Sequence, residues 1–573
     1  MSKSRALYAA TGVALLSSLA VACGSGGGGG GGGTAGKKAF DPADYQGGTL
    51  TVLNQRDQGH FDPARLYTSG GGKIPTLVFR TLTTRNHTTD GPDSAKPVPD
   101  LATDLGTPSD GARTWTYHLK AGLKYEDGTP ITAQDVKYGI ERSFAAELPG
   151  GAPYLRDWLI GGESYQGPYK GGKELDSIEV PDDRTIVFHL RKPEGDFPYL
   201  ATATQFAPVP KAKDTGVNYE KHPVSSGPYK VVSNDQGKTI VLDRNPHWSK
   251  QLDDQRLAGP DRIVVQSGLD PAVINQRLAG STGADAKAVT TDTDIDASVL
   301  ARLNGPQGLK DRVATGYFGE TWYLAFNTKA KPFDNQKVRE AISYAVDRQS
   351  VVNAVGGSAV AKPATTFLPD QKAFGYTPYD YFPGGTAGDP AKARQVLAEA
   401  GYPDGLTITL SHTTLAGQGS GPEVATAIQE ALKKAGITVR LQASEANDYS
   451  EKTQKPATEP GLFLQSWGAD WPSGGPFLAP VFDGRQILKD GGNFNASQLD
   501  DPAVNAEIDA VNQITDPAAA AERWGRLDAD LGRRALTVPL YHPVYKRLFG
   551  KDVTNAYVSQ WNGLYDLSRI SVK

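Results

Sequence analysis

Residues 101–144, LATDLGTPSDGARTWTYHLKAGLKYEDGTPITAQDVKYGIERSF, decide how the rest of the chain is read. Within them RTWTYHLKAG alternates. Trp115, Tyr117 and Leu119 share one face and Thr114, Thr116 and His118 the other, which predicts a half-buried strand. YEDGTP then supplies an Asp-Gly turn. Thr132 and Asp135 follow in capping-box spacing, and Val136, Ile140 and Phe144 recur on one face of the helix they open.

The same alternation and capping signals extend outward. GGTLTVLN reads as a first strand, and RTIVFHLRK alternates through Ile186, Phe188 and Leu190. SGPYKVVSN and KTIVLDRNP read as an antiparallel pair joined near Asp235 and Gly237, and TWYLAFNT as a strand. DNQKVREAISYAVDRQSVVNAV is expected to be one helix with Val338, Ile342, Ala345 and Val346 inward. DPAKARQVLAEAGYPDG is a helix capped by Asp389, started by Pro390 and ended by Gly401. PEVATAIQEALKKAGITVRLQ is a helix stopped by Gly436 and followed at once by a strand. Helices over 501–514 and 517–534 and a strand at TVPLYHP close the chain. Strands dominate the first half and alternate with helices in the second, an α/β fold with an α+β part and no internal repeat.

At 573 residues the chain exceeds one hydrophobic core, and length alone suggests about three or four domains. Lys+Arg (60) nearly balance Asp+Glu (64), which argues against a nucleic-acid surface. The single cysteine excludes an intramolecular disulfide, cysteine-based zinc sites, iron–sulfur clusters and CxxC redox chemistry. There is no G-x-S-x-G and no H-E-x-x-H. GPYKGGKE begins like a phosphate loop, but Glu174 stands where a Mg²⁺-binding hydroxyl is needed; it reads as a glycine-rich surface loop. No catalytic residue, metal site or cofactor is therefore expected.

The lone cysteine has a different reading. Lys3 and Arg5 precede a mostly apolar stretch, 6–21, short for a membrane span but fitting an export signal. LAVAC then resembles a bacterial lipobox, with Ala20 where the pattern usually has leucine. Cys23 is expected to be the lipidated mature N-terminus, its two acyl chains giving a stable anchor. Residues 24–44 follow as a glycine-rich tether; about 20 such residues reach roughly 25 Å.

The quoted 101–144 region resembles the signature of the family-5 extracellular solute-binding proteins, the oligopeptide-, dipeptide- and nickel-binding group serving ABC importers. The resemblance continues in order through HPVSSGPYKVVSNDQGKTIVLDRNPHW, WYLAFNTKAKPFDNQKVREAISYAVDRQSVV, DPAKARQVLAEAGYPDG, AIQEALKKAGITVRLQ and LQSWGADWPSGGPFLAPVF. It covers nearly everything after the tether. It implies a two-lobed, periplasmic-binding-protein-like clamp with an extra inserted domain. The expected division is signal peptide 1–22, tether 23–44, domain I over 45–80, 181–310 and 541–573, domain II over 81–180 and domain III over 311–540.

The ligand site is expected at SWGADWP, after the apolar strand GLFLQ. Asp470 stands close to two indoles, where a carboxylate loses hydration and needs a cation or several donors. Capping a helix that starts near Ser473, or pairing with a protein arginine, would also satisfy it. In peptide-binding members the aspartate at this place meets the peptide α-ammonium. The resemblance gives that role to Asp470, with Trp467 and Trp471 beside it. Many members read roughly ADYPDP here; ADWPSGG has less negative charge and more flat aromatic surface. Phe318, Trp322 and Tyr323 near the strand entering domain III are further candidates, some of them expected to be plain core as aromatics at strand spacing usually are, and Tyr67 before a glycine run is another, where a tight turn alone would also explain the glycines.

The implied function is the membrane-anchored binding component of an ABC importer. It would act as a monomer at the outer face of the cell membrane, capturing a short peptide or similar solute and delivering it to the permease. An oligosaccharide or antibiotic-like ligand is the alternative within that role, peptide sensing a variant of it, and an exported lipid-anchored hydrolase the alternative of another class.

Overall fold

In the computed structural model the described residues are 46–573, apart from 58, 68–73, 88–95, 304, 306–307 and 416–418. Cys23, the signal-like stretch, the tether and the glycines after Tyr67 lie outside them.

The 101–144 region forms the strand Thr114–His118 and the helix Ala133–Arg142. The Asp135 N–H donates to the Thr132 hydroxyl, and the Thr132 N–H donates back to the Asp135 carboxylate at 2.9 Å. Two otherwise orphaned donors are thereby satisfied, which fixes where the helix starts. The strand is central in a four-stranded antiparallel sheet ordered Thr107–Ser109, Thr114–His118, Thr185–His189, Ile178–Asp182. Trp115 stands opposite Phe188 and Tyr117 opposite Ile186, so the alternating faces of the two strands build one core. That core runs to Phe206. Thr185–His189, which the expected division gives to domain I, pairs inside this sheet.

Beside it stands a five-stranded sheet ordered Ala288–Val289, Thr49–Leu53, Arg262–Gln266, Thr239–Arg244, Tyr229–Asp235. The two parts are tied by buried charges. Arg80 Nε meets Asp100 Oδ1 at 2.7 Å, Arg256 Nη2 meets Asp100 Oδ2 at 3.0 Å, and Arg256 Nη1 meets Asp253 Oδ2 at 3.0 Å. Arg142, on the helix just described, grips Asp62 with two guanidinium nitrogens at 2.9 and 2.8 Å. Losing one partner of such a pair leaves a buried uncompensated charge, typically worth about 3–5 kcal/mol.

The second lobe is built on a seven-stranded sheet. Its order is Val313–Tyr317, Thr537–Leu548, Glu320–Phe326, Leu462–Gly468, Leu406–Thr413, Ile437–Ser444, with Ala361–Pro363 also pairing with Thr537–Leu548. Thr537–Leu548 runs across the boundary expected at 540, and its residues on both sides of it pair with strands of this same sheet. The helix expected over 334–355 is two, Gln336–Ala345 and Arg348–Ala354. Val346 is extended, and Asp347 caps the second helix by accepting the Ser350 N–H at 2.9 Å. An aspartate that can bond forward competes with helix continuation. GPYKGGKE lies in turns, and its Glu174 accepts from Lys137 at 2.6 Å.

Candidate ligand site between the lobes

The strand Leu462–Gly468 pairs along its whole length with Glu320–Phe326, ending where Gly468 faces Glu320. Asp470 is the second residue past that end. It is partly exposed and looks out of the second lobe. The first lobe answers it with two phenols: Tyr67 donates to Asp470 Oδ2 at 2.9 Å, and Tyr154 donates to the same oxygen. Burial, then the Asp470 charge, pushes the Tyr67 hydroxyl up to about 12 and raises the Tyr154 hydroxyl as well. Both therefore stay protonated donors at neutral pH.

Neither a helix cap nor an arginine ion pair engages the Asp470 carboxylate among the described residues. The helix after it, Gly475–Phe482, starts at Gly474 with no side-chain cap. Arg85 hydrogen-bonds Asp470 at its backbone carbonyl, Nη2 to O at 3.3 Å, and feels the carboxylate through its charge without a hydrogen bond to it. The Arg85 guanidinium lies 3.5 Å from the centre of the Trp561 ring. Burial lowers its pKa to about 9, so it stays a cation near neutral pH, and its Nη1 is buried without a hydrogen-bond partner among the described residues.

Aromatic rings pack around the two phenols that meet this carboxylate. Trp471 is buried against Tyr154 at 4.9 Å and Trp158 at 5.8 Å, both edge-on, and Tyr67 meets Tyr154 edge-on at 6.5 Å. Edge-to-face contacts of this kind add to plain area burial. The helix Tyr154–Trp158 supplies both of its aromatics from one face, four residues apart. That spacing in YLRDW was the signal available in the sequence for Tyr154 and Trp158. Arg85 and Asp196, which accepts the Trp471 Nε1–H at 2.9 Å, carried no such signal.

The other candidates fall elsewhere. Trp467 donates Nε1–H to the Pro476 carbonyl at 3.0 Å and packs on Phe494 at 4.5 Å. Tyr323 is corrected from ligand contact to core: it is 0% exposed, bonds Gln465 at 3.0 Å and packs on Phe367. An alternating strand must bury one face, and Tyr323 lies on it. Trp322, on the other face, stacks on Tyr541 at 6.0 Å with the rings 9° from parallel. With Tyr545, Asp294 and Gly419 this pair lines a pocket of about 250 Å³. Phe318 sits edge-on to Tyr545 at 6.2 Å. Among the described residues no cluster of three or more His, Cys, Asp or Glu could hold a metal ion, and no helix is long and apolar enough to cross a membrane.

Comparison with known proteins gives a consistent result. The family described as bacterial extracellular solute-binding proteins, family 5 Middle, matches residues 96–489. The structure of clavulanic acid biosynthesis oligopeptide binding protein 2 is 36% identical with a TM-score of 0.83, covering 92% of this chain and 96% of that one. The glutathione-binding protein GsiB of Salmonella paratyphi A is 27% identical over 482 residues, 82% of this chain and 85% of its own. The oligopeptide-binding protein OppA of Bacillus subtilis is 27% identical over 538 residues, 91% of each.

Proposed function

This chain belongs to family 5 of the bacterial extracellular solute-binding proteins, and on that premise we propose that it captures a short peptide, or a similar solute with a free α-amine, between its lobes and delivers it to the permease of an ABC importer. The carrying observation is Asp470, a carboxylate at a strand exit whose donors from the facing lobe, among the described residues, are two neutral phenols. An ammonium group brought to it gains a charge-assisted bond that no cation among the described residues already makes. The relatives' names, glutathione-binding and oligopeptide-binding, support the same ligand class. A hinge between lobes closes only if ligand binds the closed form better, and Asp470 facing Tyr67 and Tyr154 supplies that difference.

A lipid on Cys23 and the glycine tether would hold the clamp near the permease and raise its effective concentration there. Thiol labelling of membrane-bound protein checks the anchor: Cys23 should not react, and a free thiol there removes it. The stacked pair Trp322–Tyr541 favours a second reading within the same role, a ring-bearing solute such as an oligosaccharide or an antibiotic-like molecule. Mass spectrometry of small molecules released on denaturing the purified protein separates the two. For a ligand with a free α-amine, Asp470→Ala should cost about 2–5 kcal/mol of affinity by calorimetry. N-acetylation of that ligand should cost the wild type a similar amount; unchanged affinity in both cases sinks the ammonium role. Conversion of the released ligand by the protein would instead favour a hydrolase.

A further inference from the structure

The segment 194–197 reaches across to the second lobe beside the Asp470 site. Phe197 is fixed in the core of the four-stranded sheet, so the segment belongs to the first lobe. Asp196 precedes the helix Phe197–Leu200 but makes no side-chain bond to it. Its Oδ2 instead accepts the Trp471 Nε1–H at 2.9 Å, and the Ser473 side chain is a second hydrogen-bond partner. Next to it the Gly195 N–H donates to the carbonyl of Asn512 at 2.6 Å, at the end of the helix Pro502–Asn512. A Cβ on Gly195 would stand 2.0 Å from the Ile514 carbonyl oxygen, and one on Gly475 would stand 3.2 Å from Asp196 Oδ2. Phe477 and Val511 anchor these partners in the core of the second lobe.

We propose that Gly195 and Asp196 form a latch between the lobes, which sets how readily the clamp closes and so tunes ligand affinity without touching the ligand. The latch rests on the two-lobed clamp but not on which solute the clamp takes. Its bonds join protein atoms only, so they exist in the closed arrangement and are lost to water when the lobes part. A ligand that needs the closed arrangement is bound with an affinity scaled by the fraction of molecules able to adopt it. Asp196 and Gly195 are thus positioning residues, and the missing Cβ at 195 is what permits the close approach.

Hydrogen exchange followed by mass spectrometry on the full chain tests this without a known ligand, because the exchange rate of the 195 amide follows the open fraction. Asp196→Ala should raise exchange at 195 and across 511–514 by roughly tenfold, the worth of a hydrogen bond to a charged group. Asp196→Asn keeps an acceptor oxygen and should recover most of the protection. Ser473→Ala, made in the opposite lobe, should raise exchange at 195 by a smaller factor, which a local role in the 194–197 turn would not produce. Gly195→Ala should fold, since its backbone avoids the left-handed region, and should prop the lobes apart with the same loss of protection. Wild-type exchange in both Asp196→Ala and Gly195→Ala overturns the latch. Should Asp196→Ala not fold, Gly195→Ala decides alone. Failure of the peptide reading would leave these rates as they are, so the two ideas fall separately.

Discussion

Asp100 and Asp470 are satisfied in opposite ways. Asp100 is 1% exposed and meets two guanidinium groups, Arg80 at 2.7 Å and Arg256 at 3.0 Å. Burial alone would raise its pKa, but the Arg256 and Arg80 charges and hydrogen bonds outweigh that and hold it well below the usual carboxylate range. Asp470 is partly exposed and receives two neutral hydroxyls, while the nearest guanidinium turns to its carbonyl oxygen. A carboxylate that holds a lobe together is neutralised inside that lobe. One held by neutral hydroxyls at the edge of a cleft is what the proposed ammonium role for Asp470 requires.

Substitutions can break this contrast, and they rank by size. Arg256→Ala should destabilise the fold most, by about 3–5 kcal/mol in denaturant unfolding, because Asp100 and Asp253 each lose a buried partner. A loss below about 1 kcal/mol would mean the Arg80–Asp100–Arg256–Asp253 cluster is not structural. Asp470→Ala comes next, at about 2–5 kcal/mol, but in ligand affinity, with the ligand-free melting temperature nearly unchanged. A large fall in melting temperature would place Asp470 with Asp100 as a structural charge.

Acid sharpens the comparison further. The folded-state pKa of Asp100 lies below its unfolded value, so its stabilisation is fully present above the ordinary carboxylate value of about 4 and is lost as pH falls below it. Unfolding measured between about pH 5 and pH 2 should show this slope, and Arg256→Ala should flatten it. The smallest effect belongs to Tyr154→Phe, which removes one donor from Asp470 and should alter affinity by about 0.5–1.5 kcal/mol in calorimetry. A change as large as that of Asp470→Ala would make the phenol itself the ligand's main partner.

Local physics made much of the fold legible. The Thr132–Asp135 box, the alternation at 114–118 and the Asp389 cap each act within a few residues, and each stands where periodicity put it. The break at Val346 is not legible in periodicity, because both halves carry the same apolar spacing, while Asp347 stops the first helix by capping the second. Which of Trp322 and Tyr323 faces the core is not legible, because alternation separates the two faces of a strand without naming the inner one.

The site divides the same way. By itself the sequence determined that an acidic residue, Asp470, follows directly on an apolar strand between two indoles, because strand and exit are contiguous in the chain. Only the tertiary structure decided what meets it: Tyr67 and Tyr154 lie 403 and 316 residues away, and Asp196 lies 275 residues from Trp471. Those pairings depend on how two lobes come together, and spacing along the chain carries no record of that.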